Sequence, residues 1–349
     1  MLATLLLLSP ALTTGDELRY LPAENAETRY SFTETTDLRM TYLRSVTNGQ
    51  EHERTDFQPT YRQQTARRWT DRVVRAGDGR DDELVREVHR AAEEFTLEIE
   101  ERGKTVTGRT VSTSEVAGAR VRFEWNEAAG DYVGTLADAD GAADPSPVWL
   151  AGLEADTTGR AFLPPSDMDD VAPGSQWEVE ASALSALLAP GGRMAALYGP
   201  LEGAEDPDLL ALYGSLSAAR LTEEVGGTAR ARWRSTVQDD GRTYAIIDLT
   251  FDLEVGAVPT AWMQEQSKPY ALALMGQGAR DARIDARMEG TASILWDVDR
   301  GCLLNVTLRS ENDVHVALDY SLAFGNTNVD GKYEFDLEGA TAIEIEARR

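Results

Sequence analysis

Hydrophobic residues alternate with polar ones through most of this chain, and a two-residue rhythm is the mark of a strand with one dry and one wet face. In the C-terminal third, Ala229, Ala231, Trp233 and Val237 alternate with arginines at 230, 232 and 234. Ile247, Leu249, Phe251 and Leu253 alternate with Asp248, Thr250, Asp252 and Glu254. Ile294, Trp296 and Val298 lead into a turn at Asp299-Arg300-Gly301. Leu304, Val306 and Leu308 follow, then Val314, Val316, Leu318, Tyr320 and Leu322. Tyr333, Phe335 and Leu337 come next, and Ile343 and Ile345 end the series. Asp239-Asp240-Gly241, Asp330-Gly331 and Glu338-Gly339 carry hairpin chemistry, because glycine supplies positive φ.

The first half reads the same way. Tyr30 to Phe32, Leu38 to Val46 and Trp69 to Val74 are predicted strands, as are segments around Val121–Trp125 and Tyr132–Leu136 joined at Ala129-Gly130. Leu84, Val85, Val88, Ala92 and Phe95 sit at helical spacing behind Asp81-Asp82, yet the turn Gly77-Asp78-Gly79 and the neighbouring strands favour a strand here too. Helices are expected in the middle. Ala181 to Leu188 stops at Ala189-Pro190-Gly191-Gly192, and Asp206-Pro207 starts a segment running to Leu216. Residues 137–147, 202–207 and 263–270 read as loops. The expected fold is mainly β (α+β): curved antiparallel sheets or half-barrels with a few short helices in a central connector. The expected organisation is a signal peptide over 1–15, an N-terminal β-rich region over 18–222 with its connector at about 145–222, and a C-terminal antiparallel β region over 225–349.

Two segments carry a resemblance. Phe162-Leu163-Pro164 with Val171-Ala172-Pro173-Gly174-Ser175-Gln176-Trp177-Glu178-Val179, and the run from Gly290-Thr291-Ala292 through Trp296-Asp297 to Gly301-Cys302-Leu303-Leu304, resemble segments of a group of exported bacterial proteins with no assigned activity. Ser114 to Val121 also fits the pattern. The resemblance implies sheets similar to the half-barrels of periplasmic lipoprotein carriers, and it carries no catalytic residue with it.

Charge changes the picture of partners. The 349 residues hold 34 basic and 60 acidic side chains, a net charge of −26. Such a balance opposes nucleic acid and anionic lipid surfaces. A single cysteine, Cys302, excludes an internal disulfide and a cysteine-rich zinc site. The N-terminus, Met1 to Gly15, opens with an apolar run of about seven to eleven residues followed by a turn and small residues, and looks like a signal-peptide core and cleavage zone, although no basic residue precedes the run. At a length far below the roughly 20 apolar residues needed to cross a bilayer, it predicts an exported protein, periplasmic or extracellular, that is not integral to the membrane.

Candidate chemistry is sparse. His52, His89 and His315 lie at no metal-binding spacing. Gly174-Ser175 and Gly214-Ser215 do not complete a nucleophile elbow, and Cys302 reads as a small buried hydrophobe. Asn326, Asn328 and Asp330 with Gly331 match the front half of a calcium loop, but Leu337 stands where the bidentate glutamate belongs, so Ca2+ is a weak expectation. Asp138, Asp140 and Asp144 around Gly141 are weaker still. Asp167, Asp169 and Asp170, or Asp297 and Asp299, would be the carboxylates of a hydrolase, a class disfavoured because close acidic pairs arise by chance among 60. The expectation is a non-enzymatic β protein binding an apolar ligand or lipid in a sheet-lined groove, with no cofactor. The alternatives are an envelope protein-interaction or scaffold module and, last, a carboxylate-dependent hydrolase.

Overall fold

The computed structural model describes residues 18–53, 59–77, 79–101, 104–114, 116–137, 150, 153, 155, 159–166, 168, 170–191, 224–257, 279–324 and 327–349. The expected signal segment, the Asp206–Leu216 helix, and the loops at 138–147, 202–207 and 263–270 lie outside these residues.

Among the described residues, thirteen strands form one antiparallel sheet. They are β1 (Glu27–Thr47), β2 (Gln50–Glu53), β3 (Thr60–Ala76), β4 (Asp81–Glu101), β5 (Lys104–Thr113), β6 (Arg120–Asn126), β7 (Asp131–Leu136), β8 (Gln176–Val179), β9 (Glu224–Asp239), β10 (Arg242–Ala257), β11 (Ala279–Asp297), β12 (Cys302–Phe324) and β13 (Thr327–Arg348). The order is β7-β6-β4-β3-β1-β13-β12-β11-β10-β9-β8, with β2 on β1 and β5 on β4, so the sheet is open rather than closed into a barrel. The first long strand pairs with the last, through eighteen residue pairs from Arg29↔Arg348 to Thr47↔Gly331, which makes the two β-rich regions of the sequence parts of one sheet.

The strands are long. β12 has 23 residues, roughly 75 Å at about 3.3 Å per residue. Over that length the side-chain phase has to be kept, and bulges reset it. In β1 the inward positions run Tyr30, Phe32, Leu38 and Met40; the irregularity between Met40 and Tyr42 then moves the inward phase to Leu43. In β4 the inward residues are Leu84, Val88, Ala91 and Phe95, with an irregularity opposite Arg68/Trp69 between Val88 and Arg90. That single extra residue turns strand spacing into steps of four, three and four, which is why this segment imitates a helix in sequence. The irregularity at Ile246/Ile247 breaks the phase of β9 in the same way, and Val237, expected inside, is 45% exposed.

Two expected turns are strand interiors instead. Asp330-Gly331 and Glu338-Gly339 both lie within β13, and neither glycine has positive φ. Gly339 serves close packing: a Cβ there would run into the carbonyl oxygen of Asp37 on β1. The Asp240-Gly241 turn is as expected, with φ 47° and 75° joining β9 to β10.

The short helical pieces are where the sequence puts them. A 3-10 turn, Ala181–Leu184, leads into one helical turn, α1 (Ser185–Leu188). With Phe162 and Trp177 they bring Leu184 and Leu187 against the inner face of the sheet, into one core cluster with Tyr30, Trp69, Trp233, Leu249 and Ile294. Beyond α1, the Pro190 carbonyl accepts from Arg67 of β3 (3.4 Å). The sheet therefore wraps the connector from β9 to β3. A buried clamp holds the β3–β4 side: Arg86 donates to both oxygens of its register partner Asp71 (2.7 and 2.9 Å) and to the Ala155 carbonyl (2.9 Å). Its guanidinium lies over Trp69 and Phe123.

Candidate functional site

The register places the inner-face residues in rows across the strands, and three zones follow along the strand direction. We call the end with Tyr30, Trp69 and Trp296 upper, and the end with Leu43, Leu97 and Tyr333 lower. The upper rows are apolar from β1 to β9, for example Phe32, Ile345, Val306, Ile294, Ile247 and Trp233. The lower rows are apolar again: Met40 pairs with Leu337, Leu43 with Phe335, and Phe335 with Val316, all buried.

Between them lies a polar belt. Glu93 of β4 is 4% exposed, its register partner Thr65 of β3 is 2% exposed, and Gln63 is 2% exposed. Across β1, β13 and β12 the belt continues through Thr36, Thr341, Ser310 and Asn312. A directed hydrogen-bond chain links them. Ser310 donates to Asn312 Oδ1 (2.9 Å), and Asn312 Nδ2 donates to Thr341 Oγ1 (2.8 Å). Thr341 and Thr36 share a bond of 2.8 Å, and Thr36 donates to Glu34 (3.3 Å). Since the Thr36 proton goes to Glu34, Thr341 is the donor to Thr36. Tyr61 donates to Gln63 at the lower margin, and Arg67 lies over the Phe32 ring at the upper one, 5.3 Å from its centre. Burying polar groups is costly unless they are bonded; this chain bonds Ser310, Asn312, Thr341 and Thr36, whereas one carboxylate oxygen of Glu93 is buried with no hydrogen-bond partner.

Sequence reasoning passed over the belt, although a signal was present. On β12, Leu308 and Val314 share one phase, and the two positions between them in that phase are Ser310 and Asn312. The gap between two in-phase apolar runs was the mark of it.

The outer face is charged. Glu254, Arg287, Asp313, Glu338 and Arg39 are successive register partners from β10 to β1, and all are exposed. Three depressions of about 600, 590 and 500 Å³ lie along this part of the face and share Glu338. Asp252, Glu289 and Glu311 face one another across strands, a repulsive arrangement relieved by Arg287, which grips Asp252 with two bonds of 2.9 and 2.6 Å. That grip holds the Asp252 carboxyl below its usual range. Glu334 is likewise held low by its bonds to Lys332 and Arg44.

The remaining candidates are dispersed. His315 sits in the trough, with Nδ1 2.7 Å from Asp336 on the next strand. His89 bonds Thr70 (2.7 Å), far along the sheet, and His52 is exposed on β2. Cys302 is buried, and that burial pushes its thiol pKa up. Asp297 is fully buried and accepts from the Arg300 backbone (2.9 Å), while Asp299 accepts from the Thr243 backbone (2.7 Å), so both shape the β11–β12 turn. Ser175 caps a local turn at Ala172, and Asp170 is exposed. Of the calcium candidates, Asp330 is exposed and lies 3.2 Å from Arg280 Nη2. Asn328 pairs through its backbone with Ala323, and Asn326 lies outside the described residues. So do Asp138, Asp140, Asp144, Asp167, Asp169 and Gly214-Ser215. Among the described residues no group of three or more acidic, histidine or cysteine side chains is arranged to hold a metal ion, and no helix is long and apolar enough to cross a membrane.

Comparison with known proteins adds little. No family model and no curated protein matches the chain. Among solved structures, an outer membrane channel from Pseudomonas putida F1 aligns over 97% of this chain and 100% of its own, at 9% identity and a TM-score of 0.23, too low to bear on fold or function.

Proposed function

We propose that this protein is an exported, non-enzymatic binding module that takes an apolar chain, such as the acyl part of a lipid, against the lower zone of its inner face. The buried polar belt carries this reading. A face serving only as a core has no use for Glu93, Gln63, Thr65 and Asn312 at its centre, whereas a few convergent polar groups beside an apolar surface are the make-up of a ligand site. The upper zone is occupied by the connector's own Phe162, Leu184 and Leu187. The outer face supports contact with water there: a barrel spanning a membrane turns outward an apolar band about 25 Å tall, and this face turns outward Glu254, Arg287, Asp313 and Glu338. A non-enzymatic role is supported by two other carboxylates of the outer face. A general acid needs a raised pKa, and Asp252 and Glu334 are held low.

Titration of the purified protein with cis-parinaric acid tests the proposal. Saturable fluorescence and a one-ligand adduct in native mass spectrometry are expected. Leu337→Ala should weaken uptake by about ten- to a hundredfold, since a truncated leucine loses on the order of 1.5–3 kcal/mol of apolar contact. Wild-type protein that shows neither signal at tens of micromolar probe would end this reading.

The outer trough favours a second reading, contact with a basic protein partner. Poly-lysine binding that fades as salt rises, and falls in Asp313→Asn/Glu338→Gln, would support it; binding indifferent to both would dismiss it.

A further inference from the structure

The inner face is not covered to the same degree along β12. Above the belt, Val306 and Leu308 are fully buried. Below it, Val314 on the same strand is only half-buried, and so are Met288 and Ala286 on β11. These three are neighbours, because Met288 is the register partner of Asn312 and Ala286 that of Val314. Parity puts them on the inner side, in phase with Ile284 and Ala292 of β11 and with Val316 of β12. On the other flank of β12, Gly339 stands opposite Asn312 and has no side chain with which to cover the amide, while Leu337 stands opposite Val314. An apolar spot that is partly open therefore adjoins Asn312.

The hydrogen bonds of Asn312 and Ser310 can be counted. A side-chain amide has two N–H donors, and a hydroxyl has one donor and two lone pairs. Ser310 gives its proton to Asn312 Oδ1 (2.9 Å), and Asn312 Nδ2 gives one of its two to Thr341 (2.8 Å). One N–H of Asn312 and the lone pairs of Ser310 Oγ then have no partner among the described residues. Both groups are buried, where an unmade bond is costly. We infer that the polar end of the bound chain is an uncharged hydroxyl held between Asn312 and Ser310, so that the ligand is a single acyl chain with a free alcohol head, as in a monoacylglycerol. This rests on the lipid-binding reading above and names the head group that it left open. A hydroxyl accepts the second N–H of Asn312 and donates to Ser310 Oγ, which matches both at once. An ionised carboxylate can only accept and an ester has no proton to give, so either head leaves Ser310 unmatched. The acyl chain lies over Met288, Ala286 and Val314.

The test is displacement of cis-parinaric acid by three probes that share one decanoyl chain: 1-decanoylglycerol, decanoate and methyl decanoate. Each is also followed directly by native mass spectrometry. 1-Decanoylglycerol is expected to compete about three- to tenfold better than either of the others, the effect of one added hydrogen bond. Ser310→Ala should erase that advantage and leave methyl decanoate unchanged, whereas Met288→Ala should weaken all three alike. Decanoate or methyl decanoate competing as well as 1-decanoylglycerol overturns the head assignment and leaves the lipid-binding reading standing. So does an advantage that survives Ser310→Ala, or parinaric acid that binds but is displaced by none of the probes. Met288→Ala without effect on any probe overturns the placement of the chain. Should Ser310→Ala not fold, the order of the three probes on the wild-type protein settles the head by itself. No adduct with any probe and no parinaric acid signal would remove the lipid-binding reading and this inference with it.

Discussion

The upper and lower halves of the inner face are made by the same long strands, yet they are completed differently. Above the belt, Leu184 and Leu187 from the connector enter among Trp69, Leu249 and Ile294, and the face is a packed core. Below the belt, Met40, Phe335 and Leu337 form a second apolar surface on the far side of a hydrogen-bonded polar row. A strand of 20 or so residues is longer than one core needs, and the belt marks where the first task ends. The difference teaches that alternation alone does not distinguish an apolar zone packed by the connector from a second apolar zone beyond a polar row. What lies in phase between two apolar runs does.

The largest expected effect is at the clamp above the belt. Arg86→Ala leaves Asp71 buried without its charge partner and frees the connector at Ala155, at a cost of about 3–5 kcal/mol, read as a lowered urea midpoint. A drop below 1 kcal/mol would mean that the connector is not anchored through this pair. Next, truncation on either side of the belt sets the two zones against each other. Leu184→Ala, in the packed upper zone, should cost about 2–5 kcal/mol and leave fatty-acid uptake unchanged. Leu337→Ala should cost nearer 2 kcal/mol and reduce uptake. Equal effects on both measurements would erase the contrast between the zones.

Within the belt, Thr341→Val deprives Asn312 Nδ2 of its acceptor and Thr36 of its donor, which should cost about 1–3 kcal/mol in thermal or urea melts. A neutral outcome would show the row to be replaceable filler. The smallest effect concerns pH. Glu334 has a folded pKa below its unfolded value of about 4.3, so its contribution is complete above that pH and fades as pH falls through the folded pKa. Glu334→Gln should therefore lower stability at neutral pH and flatten the acid limb of the stability curve below pH 4.3. An unaltered acid limb would count against that pairing.

Much of this was legible in the residues. Trp296, Val306, Leu308, Phe335 and Ile345 point inward as their alternation requires, and Ala181–Leu188 makes its short helical turns. The β4 segment shows the limit. Leu84, Val88 and Phe95 keep a strand phase only because a bulge inserts one residue, and a bulge is settled by the facing strand, not by local propensity. Gly339 was read as a turn residue because glycine permits positive φ, whereas its use is the near approach of Asp37 from a strand some 300 positions away in sequence. The belt was half visible on β12, but its other members sit on β1, β3, β4 and β13.

The amino-acid order alone determined that these segments are two-faced strands, since side-chain direction in an extended chain alternates with parity between one bulge and the next. Tertiary structure alone decided that β1 closes against β13, that Thr36 meets Thr341 and Glu93 meets Thr65, and that one apolar zone is filled by the connector. Those outcomes depend on register between distant strands, and register is an energy shared by two partners that neither strand encodes by itself.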